Sequence, residues 1–221
     1  MRIVLTPEIL LSAYAQGVFP MAQSAQSDDV QWICPELRGQ ISIRAMHVPK
    51  RLKKSVRQMK IQGQFYEIRI NTDFEGVIKA CAQEASGRTE TWINPQIIEA
   101  YCKLNILGYA HSVECWQDDI LVGGLYGIAL GGAFFGESMF SRKTDTSKVA
   151  LVHLAARLYH AGYDILDTQF TNPHLEQFGV YEIPHDDYMD KLTAALDKSC
   201  DFGCRGQTER QLIASYFEMQ G

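Results

Sequence analysis

Apolar residues recur along the chain with two different periods, and the switches between them outline the elements. Phe74, Val77, Ile78 and Cys81 stand at i, i+3, i+4 and i+7 behind Asp73, the spacing of one buried helix face, which predicts a capped helix over 73–85. The stretch 94–108 repeats the plan, with Asn94 as cap, Pro95 at the first position and Gly108 as stop. A short helix over 6–17 is predicted from Thr6, Pro7 and Gly17. The helix over 145–162 is expected to be capped near Asp145 and closed by Gly162. Short apolar runs rich in β-branched and aromatic residues predict strands at 66–72, 110–117, 120–130, 133–140, 163–170 and 180–184. "VFPM" reads as a turn, 22–29 as a polar loop, 30–43 as an extended entry, 49–60 as a basic helix and 86–93 as a loop. "NPHLEQFG" reads as a short helical turn capped by Asn172, and a last helix covers 186–198.

Three strands joined at Asp118-Asp119 and Gly131-Gly132 are close enough for hairpins. A hairpin meander followed by helix, strand, helical turn, strand and helix implies an α/β (α+β) fold with a mixed sheet. That order resembles a GNAT-type acyltransferase core. Residues 1–37 are expected to form a small N-terminal domain too short to hold a core of its own. Residues 38–221 then make the main domain.

Composition narrows the class. With 46% hydrophobic and 21% charged residues the chain is an ordinary globular protein. No apolar run approaches the roughly 18 residues of a membrane span. Glu8 interrupts what would be a signal-peptide core, so a cytoplasmic protein is expected. The six cysteines lack paired metal-site spacing and are read as reduced thiols; no metal is expected. Net charge is −5, against indiscriminate nucleic-acid binding. Lys50, Arg51, Lys53, Lys54, Arg57 and Lys60 nonetheless fall within eleven residues without an acid. This is either a solvated helix face or a local phosphate-binding surface.

The chemistry candidates lie in two apolar strands. Glu137 stands alone in "GGAFFGESMFSR", where a carboxylate is costly unless paired or used. If the strand is unbroken, Phe135, Glu137, Met139 and Ser141 share a face. Asp167 and Gln169 likewise project together, with Thr168 opposite. Buried polar groups satisfied for packing are the plain alternative. No nucleophile elbow, phosphate loop or histidine metal motif occurs, and His153 is expected to be a satisfied structural histidine. The turn "SRKTDTSK" has no glycine and places Asp145 at a helix start, where it repels phosphate, so an acyl donor other than CoA is expected.

The chain resembles the leucyl/phenylalanyl-tRNA–protein transferases through "AYAQGVFP", Trp32-x-Cys-Pro-x-x-Arg38, "TWI", "LGYAHSVECW", "LVGGLYG", "FFGESMFSR", "SKVAL", "LDTQF" and "HLEQFG". It departs at Met21, where the family has tryptophan, and at Thr168, where it has cysteine; its N-terminal domain is shorter. The resemblance implies transfer of Leu or Phe, and Met less well, from aminoacyl-tRNA to the α-amino group of proteins beginning with Arg or Lys, which marks them for degradation by the N-end rule. It implies a monomer with no cofactor. Gln169, oriented by Asp167, would position and polarise the amine, and Glu137 would hold the acceptor's charge. Phe134, Phe135, Met139, Leu125 and Leu154 would form the side-chain pocket. Trp92 and Trp32 would stack on the terminal adenosine, and the segment Lys50–Lys60 would meet acceptor-stem phosphates. A related transferase with a different amine acceptor, and a non-catalytic adaptor for tRNA ends or basic N-termini, are the other readings.

Overall fold

The computed structural model describes residues 4–27, 29–83 and 91–221. Helix α1 (Pro7–Ala15) starts as predicted: the Thr6 hydroxyl accepts from the Ile9 amide, and Pro7 needs no donor there. "VFPM" is a strand rather than a turn. Strand β1 (Phe19–Ala22) pairs antiparallel with β2 (Val30–Ile33), a two-stranded ribbon whose edge tolerates Pro20. Strand β3 (Leu37–Ile41) follows, then the basic helix α2 (Lys50–Gln58). A small hairpin of β4 (Lys60–Ile61) and β5 (Gln64–Phe65), unforeseen from sequence, leads to β6 (Glu67–Ile70).

Helix α3 (Phe74–Cys81) is capped by Asp73, and α4 (Pro95–Ile106) by Asn94, each accepting from the backbone three residues on. The loop expected at 86–93 and the end of the helix expected to reach 85 fall largely outside the described residues. Strands β7 (Ala110–Gln117), β8 (Ile120–Leu130) and β9 (Ala133–Ser141) form the predicted meander. Its first turn is tight because Asp118 and Asp119 both adopt positive φ, at 49° and 59°, as a primed hairpin turn requires.

Helix α5 (Thr146–Ala161) begins at Asp145, but the expected cap is not made. Asp145 is left-handed, at φ 67°, and its carboxylate instead binds Arg51 and Lys148. Strand β10 (Ile165–Gln169), the turn helix α6 (Pro173–Glu176), strand β11 (Val180–Pro184) and helix α7 (His185–Leu196) match their predicted order. A final helix, α8 (Glu209–Met219), was not foreseen; its signal is the Thr208–Gln211 capping box.

Among the described residues one seven-stranded sheet runs β11-β3-β10-β9-β8-β7-β6. Only β9 and β10 pair in parallel, so the sheet is mixed. One face packs on α2, α5 and α8, the other on α1, α3, α4 and α7, making three layers with a core on each side. Helix α5 is buried nearly all round, which explains its lack of an amphipathic pattern. His153, wholly buried, is satisfied as expected, by the Tyr66 hydroxyl at 3.0 Å and the Glu209 carboxylate at 2.8 Å. Arg157 joins Glu209 as well, so α8 is tied to α5 through a buried polar cluster. Among the described residues no helix is long and apolar enough to cross a membrane.

Candidate active site

Strands β9 and β10 are partners only from Ile165↔Ala133 to Asp167↔Phe135. Beyond that point they pair with other neighbours, and a cavity of about 1210 Å³ lies beside the unpaired stretches. Leu125, Met139, Leu151, Leu154 and Leu166 give it an apolar wall. Glu137, Asp167 and Thr168 reach it from the two strands, and Arg142, Asn172 and His174 stand at its polar side.

Glu137 occupies a β-bulge. Tyr126 pairs with Ser138 and Gly127 with Gly136, so Glu137 has no partner on β8. Glycine is needed opposite: a Cβ on Gly127 would stand 2.2 Å from the Phe135 carbonyl oxygen. The extra residue reverses the alternation expected for this strand. Phe135 faces the α1/α4 core, whereas Met139 packs against the α5 core, so the predicted common face does not extend past Glu137. Glu137 turns toward the α1/α4 side. Its Oε1 accepts from the Tyr14 hydroxyl at 2.6 Å and from Gln169 Nε2 at 2.8 Å; its Oε2 accepts from the Tyr101 hydroxyl at 3.3 Å. The Tyr14 and Tyr101 hydroxyls are themselves in short hydrogen-bond contact. Burial pushes the Glu137 carboxyl up to about 8; Asp167 adds to the rise, while the tyrosine hydrogen bonds and Arg38 oppose it.

Asp167 does not face the cavity as a free base. Its two oxygens accept from Arg38 Nε at 3.0 and 2.9 Å and from the Tyr188 hydroxyl at 2.6 Å, and Arg38 Nη2 stands 2.8 Å away as an ion-pair contact. Neither Arg38 nor Asp167 touches solvent. The guanidinium lies between the rings of Phe19 and Tyr188 and donates to the Gly17 carbonyl at 2.7 Å. Asp167 also receives the Gln169 backbone amide, at 2.6 Å. This holds Gln169 in the left-handed region, at φ 64°, a conformation that costs a non-glycine residue about 1 kcal/mol. The result is that Gln169 points its amide at Glu137. A carboxylate demands the NH2 end of that amide, which leaves Gln169 Oε1 without a hydrogen bond among the described residues.

Sequence reasoning brought together Glu137, Asp167 and Gln169, and the structure joins them in one network. Leu125, Met139 and Leu154 line the cavity; Phe134 and Phe135 do not. Both phenylalanines are wholly buried, Phe134 near Phe202 at 5.5 Å between centroids and Phe135 near Tyr14 at 4.9 Å, so they are core rather than pocket. Trp32 and Trp92 pack partly buried against the α1/α4 core and do not line the cavity. Of the basic residues, Lys50, Arg51, Lys54 and Arg57 are exposed, and Lys53 and Lys60 half-buried. Lys53 and Arg57 lie over the Phe217 ring, and Lys60 over Phe65. Arg51 reaches Asp145 at the start of α5, whose Ser147 and Leu151 line the cavity. Tyr14, Tyr101, Arg38 and Tyr188 were missed. The signal for two of them was present, since Tyr14 and Arg38 lie inside motifs that carried the resemblance.

The cavity thus has an apolar wall and, beside the split of two parallel strands, a carboxylate hydrogen-bonded to a buried amide. The chain belongs to the leucyl/phenylalanyl-tRNA protein transferase family and is an aminoacyltransferase: that family's sequence profile matches residues 40–193, and its N-terminal-domain profile residues 4–36. Its relatives include leucyl/phenylalanyl-tRNA–protein transferases of Paramagnetospirillum magneticum, 54% identical over 90% of this chain and 92% of the relative, and of Phenylobacterium zucineum, 54% identical over 89% and 87%. The enzyme of that name from Maricaulis maris is 53% identical over 88% of each chain.

Proposed function

We propose that this chain moves leucine or phenylalanine, and methionine less well, from aminoacyl-tRNA to the α-amino group of proteins that begin with Arg or Lys, marking them for degradation. It would do so as a cytoplasmic monomer with a GNAT-like main domain. The observation that carries the reading is Glu137, at the wall of a cavity with one apolar side, hydrogen-bonded to the buried Gln169 amide behind it. The ester bond of aminoacyl-tRNA is already activated, so the site has to hold a carbonyl beside an amine and manage one proton. Leu125, Met139 and Leu154 suit an apolar side chain. Such a wall separates Leu from Met weakly, because one methylene is worth only about 1–3 kcal/mol. Gln169 Oε1 is the acceptor that positions the amine, and Glu137 offsets the positive charge of a basic N-terminus.

The exposed cations of α2 are assigned to acceptor-stem phosphates, with the Arg51–Asp145 pair linking that surface to the cavity helix. If as few as two of these cations neutralise phosphates, tRNA affinity falls about tenfold between about 50 and 200 mM salt. Reversing Lys50 and Lys54 to glutamate should flatten that dependence. A salt-independent Kd, measured by filter binding, would remove the assignment.

The transfer itself is tested by incubating the protein with Leu-tRNA and peptides beginning with Arg, Lys, Asp or Glu. A leucine mass increment is expected on the Arg and Lys peptides. An increment only on acidic peptides overturns the acceptor specificity, and none on any peptide overturns transfer to proteins.

A further inference from the structure

The two oxygens of Glu137 are not equivalent. Oε1 is held by two donors at short range, Tyr14 and Gln169, whereas Oε2 has, among the described residues, only the 3.3 Å contact from Tyr101. Tyr101 has one hydroxyl proton and two acceptors in reach, Glu137 Oε2 and the Tyr14 oxygen. Tyr14 gives its own proton to Oε1 and so keeps lone pairs to receive Tyr101's. The pair therefore has two arrangements that satisfy every hydroxyl, and in one of them Oε2 is released.

We propose that Glu137 is the catalytic base of the transfer, with Oε2 the atom that takes the acceptor's α-amino proton, and that Tyr14 and Tyr101 are positioning residues that free this oxygen when the acceptor arrives. This rests on the transferase reading above. The arriving ammonium gives one proton to Oε2, leaving a neutral amine and a neutral carboxyl. The amine nitrogen forms its bond to the ester carbonyl carbon. The carbon–oxygen bond to the tRNA ribose then breaks as the nitrogen's surplus proton passes to the departing ribose oxygen. Glu137 returns its proton to solvent after the product leaves, so each turnover releases one proton.

The other groups around the site do not serve as well. Gln169 is an amide and a poor base. Asp167 has both oxygens engaged by Arg38, Tyr188 and the Gln169 amide. The groups facing Glu137 are Tyr14 from α1, Tyr101 from α4, Gln169 and Asp167 from β10, and Arg38 from β3 behind Asp167. Burial holds the Glu137 carboxyl at about 8, close to an α-amino group at about 7.7–8.0, so a proton passes between them at little cost.

The test is the pH dependence of kcat/KM for one Arg-initiated peptide with Leu-tRNA. A base must be ionised, so the rate rises as pH passes through the pKa of Glu137. Hydroxyl donors favour the ionised form; losing one raises that pKa and moves the rise to higher pH. Tyr14→Phe and Tyr101→Phe keep their rings, and each is expected to shift the midpoint upward by about one pH unit, the size of one hydrogen bond to a charged group. The amine's own ionisation is common to all variants and cannot produce the shift. Glu137→Gln should lose about 10²–10⁴ in rate. Unmoved midpoints in both tyrosine variants, with wild-type transfer intact, overturn the proposal; a wild type that transfers nothing counts against the transferase reading instead. Should either variant fail to fold, a ¹³C titration of the Glu137 carboxyl in wild type decides. Its midpoint must fall when an Arg-initiated peptide binds, and an unmoved midpoint overturns the proposal.

Discussion

Gln169→Ala is expected to lower kcat by about 10²–10⁴, the usual range for losing help with a proton at the reacting centre. The amide fixes Glu137 Oε1 through Nε2, and in the proposed transfer its own Oε1 would receive the incoming amine. Alanine removes both while leaving the apolar cavity wall of Leu125, Met139 and Leu154 in place. KM for the aminoacyl donor should therefore stay nearly constant while turnover collapses. Steady-state kinetics with each substrate varied in turn separates the two, and a fall in kcat of less than tenfold would remove Gln169 from the chemistry. Gln169→Gly makes a useful companion. Glycine adopts φ 64° without the cost an alanine meets, so the glycine variant should be as slow but more stable, by about 1 kcal/mol.

Arg38→Ala is the variant with the largest expected effect on stability, a loss of about 3–5 kcal/mol. It strands the buried Asp167 carboxylate, and removes the donor to the Gly17 carbonyl along with the stacking on Phe19 and Tyr188. For a chain of this length that corresponds to a melting temperature lower by about 10 °C, read by calorimetry or circular dichroism. Asp167→Ala should be comparably damaging for the mirror reason, an unpaired guanidinium. The double variant should then cost much less than the sum of the two, because the second removal relieves the charge stranded by the first. Additive losses would mean that the pair is not coupled as its geometry says. Activity should not return in the double variant, since without Asp167 the Gln169 backbone amide has lost its acceptor.

Much of the scaffold was readable because its signals are local. Thr6-Pro7 and Asn94-Pro95 announce helix starts within two residues, and Asp118-Asp119 sits between two alternating runs. The order of those elements then restricts the sheet to few arrangements. The site was legible only in part, for a physical reason. A bulge adds one residue without changing composition, so nothing in "FFGESMF" reveals that alternation reverses at Glu137. Phe134 and Phe135, which the resemblance placed in the pocket, are core. Asp145 shows another limit: an acid before a helix reads as a cap, yet Arg51, 94 residues upstream, outcompetes the local amides for its carboxylate. Tyr14, Tyr101 and Arg38 matter through partners 36 to 129 residues away, and no local pattern encodes such a pairing. Their importance was carried only by the longer motifs around Tyr14 and Arg38.

The Arg38 strut has a consequence for anyone who would divide or recombine this protein. Its charge is matched on β10, its Nη1 donates to the backbone just after α1, and its faces are covered by β1 and α7. Tyr14, a few residues before, supplies a hydrogen bond to the bulge. A cut or a chimeric junction placed between Gly17 and Arg38 therefore parts a cation from the carbonyl it satisfies, and the site carboxylate from its donor. Residues 14–38 are bound into the site they support. In a library of hybrids, residues 14–38 and the β10 strand should survive only when inherited from the same parent.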